Sequence, residues 1–268
     1  MNVVFIGTPE FAVPSLKCLI ESKHDVAAVL TQTDKPKGRK GKPEAPPVKN
    51  IALDAGLQVI QPENVNSEQV IEELEKLSPD VIVVVAFGQK ISDKILNLPK
   101  HKCVNIHASL LPKYRGAAPI NWAVVNGEKE TGITTIIMSN KMDAGDVIIR
   151  KSLTIGPEET AGELGNRLSR LGAETLLDSL TQIETGDAKY TQQDESLVSL
   201  APKIKKTDGL IDWNQEEEKI HNFVRGMNPK PAAYTFLTRN NSKERIIILK
   251  TERDNSSHNE TDIAPGTI

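Results

Sequence analysis

The sequence predicts an α/β protein built on a mostly parallel sheet with helices on both faces, followed by a smaller second unit. Three observations carry this. Through residues 1–155, short apolar β-branched runs alternate with stretches of helical spacing. One run, 81–87, is almost continuously apolar, as befits a central strand covered on both faces. Finally, a polar stretch at 186–209 separates this region from a last unit with its own amphipathic and strand-like segments.

The elements follow in order. Residues 3–7 read as a buried strand, and Thr8-Pro9 as a helix start, with Thr8 as N-cap and Pro9 in the first helical position. Residues 25–32 form a second strand, 48–55 a short helix closed by Gly56, and 57–61 a third strand. Within 67–77, Val70, Ile71, Leu74 and Leu77 recur at helical spacing. Residues 103–110 read as a further strand; 133–139 and 147–155 read as two more, less clearly parallel. A helix over about 160–184 carries Leu164, Leu168, Leu171, Leu177 and Leu180 as its apolar stripe. After the polar stretch, Ile211-Asp212-Trp213 opens the second unit, with an amphipathic segment at 217–227 and strand-like runs at 233–238 and 245–251. There is no internal repeat.

Composition narrows the function classes. With 38% hydrophobic and 26% charged residues in 268, the chain is ordinary for a globular protein and unlike a disordered one. Thirty-three basic and 36 acidic residues leave a net charge of −3, so a polyanionic partner must be met by a local basic patch. Two cysteines, Cys18 and Cys103, provide no disulfide framework and fit a reducing, cytoplasmic compartment. No apolar run reaches the roughly 18 residues of a membrane span. The start of the chain lacks the basic, apolar and small-residue order of a signal peptide.

The segment Asn105-Ile106-His107-Ala108-Ser109-Leu110-Leu111-Pro112 holds the first candidate chemistry. Residues two apart on a strand share a face, so Asn105 and His107 point one way and Val104, Ile106 and Ala108 the other. An amide beside an imidazole can supply two donors to one developing oxyanion. The same pair also fits a loop-bonding Asn and a paired core His. His101, Cys103 and His107 share that face as well, but no partner completes a tetrahedral zinc set, and no metal is expected. Met142-Asp143-Ala144-Gly145-Asp146 is the second candidate. It reads either as a turn capped by Asp side chains, or as a carboxylate that reaches His107 and fixes its tautomer. Ser109 lacks the Gly-x-Ser-x-Gly elbow of a nucleophile. Gly7-Thr8-Pro9-Glu10 lacks the Gly-x-Gly-x-x-Gly of a dinucleotide site.

The third candidate is residues 34–49. Six basic residues (Lys35, Lys37, Arg39, Lys40, Lys42, Lys49) against Asp34 and Glu44 give the segment a net +4. Four prolines and two glycines are expected to keep it out of regular structure. It reads as a solvated loop or as a basic arm for phosphate backbone; long structureless loops inside a compact domain tend to be functional.

Taken together, Asn105 through Ile120, with Asp143-Ala144-Gly145-Asp146, resembles the signature of the 10-formyltetrahydrofolate-dependent formyltransferases. The wider match is to the members that formylate methionyl-tRNA. It takes in Phe5-Ile6-Gly7-Thr8-Pro9-Glu10-Phe11, Thr33-Asp34-Lys35-Pro36, Ala201-Pro202-Lys203, Ile211-Asp212-Trp213 and Val224-Arg225-Gly226-Met227-Asn228-Pro229, nearly the whole chain. The resemblance implies a Rossmann-like catalytic domain over 1–188, a linker over 189–208 and a smaller C-terminal β-barrel-like, tRNA-binding domain over 209–268. Relatives continue past a Pro-Gly-Thr segment, so that domain is expected to be incomplete at Pro265-Gly266-Thr267-Ile268. The resemblance also implies Asn105, His107 and Asp143 as catalytic residues. It implies 10-formyltetrahydrofolate as co-substrate, held by Gly88, Gln89, Lys90 and Ile91 and by Ser109, Leu110, Leu111 and Pro112. Lys35, Lys37, Arg39, Lys40 and Lys42 would meet the initiator methionyl-tRNA. The expected protein is a cytoplasmic monomer without membrane contact. The other readings are a nucleotide-sugar N-formyltransferase, disfavoured by the basic arm, and an inactive RNA-binding relative, disfavoured by the intact trio.

Overall fold

The chain opens with strand β1 (Asn2–Gly7), whose side chains are buried on both faces from Val3 onward. The computed structural model from which this is read describes residues 1–37, 41–239 and 242–252. After β1 the sequence-expected helix start at Thr8-Pro9 is displaced. Pro9 is extended and precedes a 3₁₀ turn at Glu10–Ala12, and helix α1 begins at Val13–Ile20, with Pro14 in its first turn. The reason lies across the sheet: the Thr8 hydroxyl accepts from the Gln32 amide nitrogen at 3.4 Å rather than capping a helix.

Strand β2 (Asp25–Leu30) follows, then two short strands, β3 (Lys35–Lys37) and β4 (Lys42–Glu44). These two form an antiparallel ribbon, so the segment expected to lack regular structure has some. Its prolines are accommodated because Pro36 faces Pro43 while Lys35 faces Glu44 and Lys37 faces Lys42. Pairs alternate between bonded and non-bonded in an antiparallel ribbon, and a residue without an N–H fits the non-bonded one. Helix α2 (Pro47–Asp54), strand β5 (Val59–Ile60), helix α3 (Glu68–Leu77) and strand β6 (Val81–Val85) complete the first half. α3 buries Val70, Ile71 and Leu74, as its spacing predicts.

The second half holds α4 (Asp93–Leu96), β7 (Cys103–His107), β8 (Arg115–Gly116), α5 (Pro119–Val125), β9 (Glu130–Ile137), β10 (Val147–Thr154) and α6 (Ala161–Thr185). The central sheet has the order β10-β9-β7-β6-β1-β2-β5, parallel from β5 to β7, with β9 antiparallel to both its neighbours. The Rossmann-like reading therefore holds, with one reversed strand. Thr160 caps α6 in a reciprocal box with Glu163, and Gly186 closes it at φ +78; losing such an N-cap costs about 0.5–2 kcal/mol. The buried stripe of α6 is Leu164, Leu168, Gly172, Leu176, Leu180 and Ile183, while Leu171 and Leu177 are half-buried on its flanks. Gly172 lets the helix lie close to the sheet: a Cβ there would stand 3.2 Å from Ile106 Cγ2 of β7, a tight contact.

Residues 186–209 are more ordered than a polar linker suggests. Thr191 bridges Val147, β11 (Leu200–Ala201) pairs with β8 in parallel, and two 3₁₀ turns flank β11. Last come α7 (Glu217–Met227) and the antiparallel hairpin of β12 (Ala233–Arg239) and β13 (Ser242–Ile248). α7 packs closely on α5, where a Cβ on Gly226 would meet Val125 at 2.5 Å. Pro265-Gly266-Thr267-Ile268, where the C-terminal domain is expected to be incomplete, lies outside the described residues.

Two apolar clusters flank the sheet. One joins Val104 and Ile106 of β7 to α1, α2, α5 and α6; the other joins Val4, Ile6, Ile82, Val84 and Cys103 to α3 and α4. On β7 the second face turns polar after Cys103, and that is where the site lies.

Candidate active site

β7 alternates as its sequence requires. Val104 and Ile106 are sealed into the first cluster, while Asn105 and His107 emerge on the opposite face. On that face Asn105 lies between Val84 of β6 and Ile136 of β9, and His107 lies beside Thr134. Asn105 is half-buried, and among the described residues its side-chain amide is engaged by no other group.

His107 is 5% exposed, and both ring nitrogens are accounted for. Nε2 lies 2.9 Å from the backbone carbonyl oxygen of Tyr114. A carbonyl only accepts, so Nε2 is the donor and the tautomer is set by the main chain of Tyr114. Nδ1 faces Asp143 Oδ2 at 3.6 Å, an ion-pair contact when the ring is protonated and longer than a hydrogen bond.

Of the two candidate aspartates, the structure brings Asp143 to His107. Asp146 is exposed and gives only its backbone oxygen, to Ile137. The β9–β10 connection leaves the sheet opposite Val104 and returns over the polar face, which carries Asp143 to the far end of β7. Asp143 sits at φ +50, and its Oδ2 accepts from the Gly116 amide at 2.9 Å. Close approach shapes this turn: a Cβ on Gly145 would stand 1.7 Å from the Ile137 oxygen, and one on Gly116 2.5 Å from the Ala201 oxygen.

The loop after β7 is fixed by Thr134. Its hydroxyl donates to the Ser109 oxygen at 2.6 Å and accepts from the Leu111 amide at 3.1 Å, and Arg150 Nε donates to the Leu111 oxygen at 2.8 Å. The Ser109 hydroxyl is spent on the Lys113 oxygen at 2.6 Å. Ser109 and Leu111 are buried; Leu110 and Pro112 are half-buried, so of these four only Leu110 and Pro112 keep part of their surface open to solvent. After β6, Gly88 (φ +85) and Lys90 are exposed, Gln89 is half-buried, and Ile91 is buried with Phe87 and Val84. Gln89 ties this loop down, accepting from the Val65 amide at 3.0 Å and donating to the Glu63 oxygen at 3.3 Å.

The basic ribbon joins the sheet near the ends of β1 and β6, the crevice where strand order reverses. Gln32 Nε2 donates to the Phe87 oxygen at 2.6 Å, and Lys35 Nζ donates to Gln32. Asp34 accepts from Lys49 and Gln61, each at 2.8 Å, and these bonds hold its carboxyl below the usual range. Lys37 and Lys42 are placed by their backbones in β3 and β4. Arg39 and Lys40 lie outside the described residues.

Two contributors are not among the expected site residues. Tyr114, at φ +61, lends a backbone oxygen; its phenol donates to Glu128 at 2.8 Å, and burial pushes it up to about 12. Gln193, in the polar stretch after α6, bonds the backbone of the Asp143 turn.

With this geometry in hand, comparison with known proteins is informative. Residues 1–180 match the family model "Formyl transferase" and residues 203–268 match "Formyl transferase, C-terminal domain". A methionyl-tRNA formyltransferase of Geobacter metallireducens is 50% identical over 252 residues, spanning 94% of this chain and 81% of the relative. One of Acetivibrio thermocellus is 44% identical over all 268 residues and 84% of its own length. Among solved structures, the sugar 3N-formyl transferase WlaRD, crystallised in the presence of dTDP and 5-N-formyl-THF, superposes with a TM-score of 0.68 at 21% identity, covering 91% of this chain and 84% of that one. The fold is thus shared with sugar-modifying enzymes, but the sequence kinship over nearly the whole length is with the other branch: the chain belongs to the methionyl-tRNA formyltransferase family.

Proposed function

We propose that this protein transfers the formyl group of 10-formyltetrahydrofolate to the α-amine of methionine on initiator tRNA, for translation initiation. The observation that carries the reading is the polar face of β7. There an uncommitted Asn105 amide stands beside a histidine whose tautomer is fixed and which faces a carboxylate, in a chain half identical to methionyl-tRNA formyltransferases.

The chemistry follows from those atoms. The neutral methionyl amine attacks the formyl carbon, and the carbonyl electron pair moves onto oxygen. Asn105 Nδ2 donates to that oxyanion, joined by His107 Nδ1 when the ring carries its second proton, in a half-buried setting where fixed donors count for more than in water. Asp143 balances the charge on the ring and takes part in moving the amine proton to N10 of the folate as the carbon–N10 bond breaks. The products are formyl-methionyl-tRNA and tetrahydrofolate, with no atom left over. The apolar cluster of Val84, Phe87, Ile91 and half-buried Met138 borders Asn105 through Val84, and suits a flat ring system. Leu110, Pro112 and the Gly88–Gln89–Lys90 loop complete that edge, and Ser109 and Leu111 support it from beneath. Lys35, Lys37, Arg39, Lys40 and Lys42 would hold phosphates of the acceptor end, positioning it rather than reading bases.

Among the described residues no helix is long and apolar enough to cross a membrane. The role in translation initiation supports reading the enzyme as cytoplasmic, and we read it as a monomer. A transfer assay with 10-formyltetrahydrofolate and charged initiator tRNA, run beside a nucleotide-linked amino sugar, tests the reading. Formylation of the methionine and none of the sugar is expected; the reverse would establish the sugar reading instead.

A further inference from the structure

We infer that Gln193 is a positioning residue for the transfer, holding Asp143 where His107 requires it. The inference rests on the reading above, in which the His107–Asp143 pair serves the reacting formyl group.

Gln193 is 5% exposed, and every polar site of its amide is used. Nε2 donates to two main-chain oxygens of one turn, Asp143 and Gly145, both at 2.8 Å. Oε1 accepts from Arg115 Nε at 3.1 Å and Nη2 at 2.8 Å. The amide cannot be turned over, since two carbonyls face one end and a guanidinium the other. Arg115 is itself buried and anchored, by Glu195 Oε1 at 2.8 Å and through its own amide to the Ser199 oxygen at 2.9 Å.

Asp143 needs such a hold. It sits in the left-handed region at φ +50, which a non-glycine residue keeps only when its surroundings impose it. Two grips supply that: Gln193 on its main chain and the Gly116 amide on its carboxylate. The His107 end is tied to the same segment, since the Ser199 hydroxyl accepts from the Tyr114 amide at 2.9 Å and the Tyr114 oxygen receives His107 Nε2. Residues 193–201 thus form a strap that sets both members of the pair. A stretch that reads as polar linker supplies a wall of the active site.

Gln193→Glu separates positioning from packing. It keeps the shape and still accepts from Arg115, but it replaces two donors with an oxygen facing two carbonyls. The turn should move out, and kcat should fall about 10²-fold, the scale for a misplacement of about 1 Å. KM for 10-formyltetrahydrofolate should stay within about twofold. The His107 ring resonances, followed by NMR at one fixed pH, should shift as the carboxylate retreats from Nδ1. In an Asp143→Ala background the same change should add less than about twofold, because the two act through one contact. Where Gln193→Glu does not fold, Gln193→Asn, one methylene short of both partners, is read in the same way. An unchanged kcat and unchanged His107 ring resonances in a folded variant would overturn the inference. So would an undiminished loss in the Asp143→Ala background. If the wild-type protein formylated no methionyl-tRNA, the functional reading would fail by itself, and the His107 ring resonances would still decide whether Gln193 sets the pair.

Discussion

The two faces of β7 are built from alternate residues of one short strand, yet they obey different rules. Val104 and Ile106 meet α6 and the apolar side of β6 and β9, where what matters is volume and fit. Asn105 and His107 meet main-chain oxygens, a carboxylate and the open site, where what matters is the identity of single atoms. The comparison teaches where substitution is tolerated. The first face accepts an apolar residue of similar size at modest cost; the second accepts none.

The largest expected effect falls on the polar face. Asn105→Ala should lower turnover by about 10²–10³, the range for losing one oxyanion donor, and should leave the melting temperature nearly unchanged because the amide is half-buried and unengaged. Asp143→Ala should cost at least as much in steady-state turnover. If Asn105→Ala instead unfolds the protein while transfer per folded molecule persists, the division between the faces is wrong.

Ile106→Ala sharpens the comparison from the other side. The side chain is 4% exposed and touches the helix at Gly172, so its removal should cost about 2–5 kcal/mol of stability in denaturant melts. Transfer per folded molecule should remain within a few fold, as no atom of that face reaches the formyl group.

Much of this division is legible in the sequence. The alternation through 103–107, the helical spacing of 67–77, the amphipathic segment at 217–227 and the helix over about 160–184 all follow local rules, and the structure keeps them. The illegible parts depend on distant partners. Nothing local distinguishes Asp143 from Asp146, since the choice is made by where the turn folds back on β7. Gln193 reaches a turn 50 positions earlier and carries no charge or reactive group to mark it. Thr8 looked like an N-cap because its true partner, Gln32, lies one strand away. The ribbon of β3 and β4 hid behind its prolines, which fit only because they face each other. α5 is not among the expected elements, although Pro119 at its first position is a start signal.

The basic ribbon extends the comparison beyond the strand. Replacing Lys37, Arg39, Lys40 and Lys42 together by alanine should weaken methionyl-tRNA binding. It should also flatten the log–log salt dependence by up to about three units, near one per phosphate contact. Folate binding should be unchanged. Full tRNA affinity with an unaltered salt slope would make the ribbon a solvated surface feature.

A smaller effect concerns the start of the polar face. Cys103 is fully buried, and burial pushes its thiol up to about 12. At pH 8 only about one molecule in 10⁴ would hold the thiolate. Native protein should therefore resist alkylation at Cys103 until it unfolds, and reactivity should rise with pH rather than fall. Rapid labelling of folded protein at neutral pH would show that this end of β7 opens.

The most direct test of the central claim, that the polar face of β7 performs the transfer, is the single-turnover rate of His107→Ala with 10-formyltetrahydrofolate and charged initiator tRNA. The account predicts a loss of at least about 10²–10³ in the chemical step, with both substrates still bound and with little further loss when Asp143→Ala is added, since paired groups act as a unit. A near-wild-type single-turnover rate in His107→Ala would contradict it.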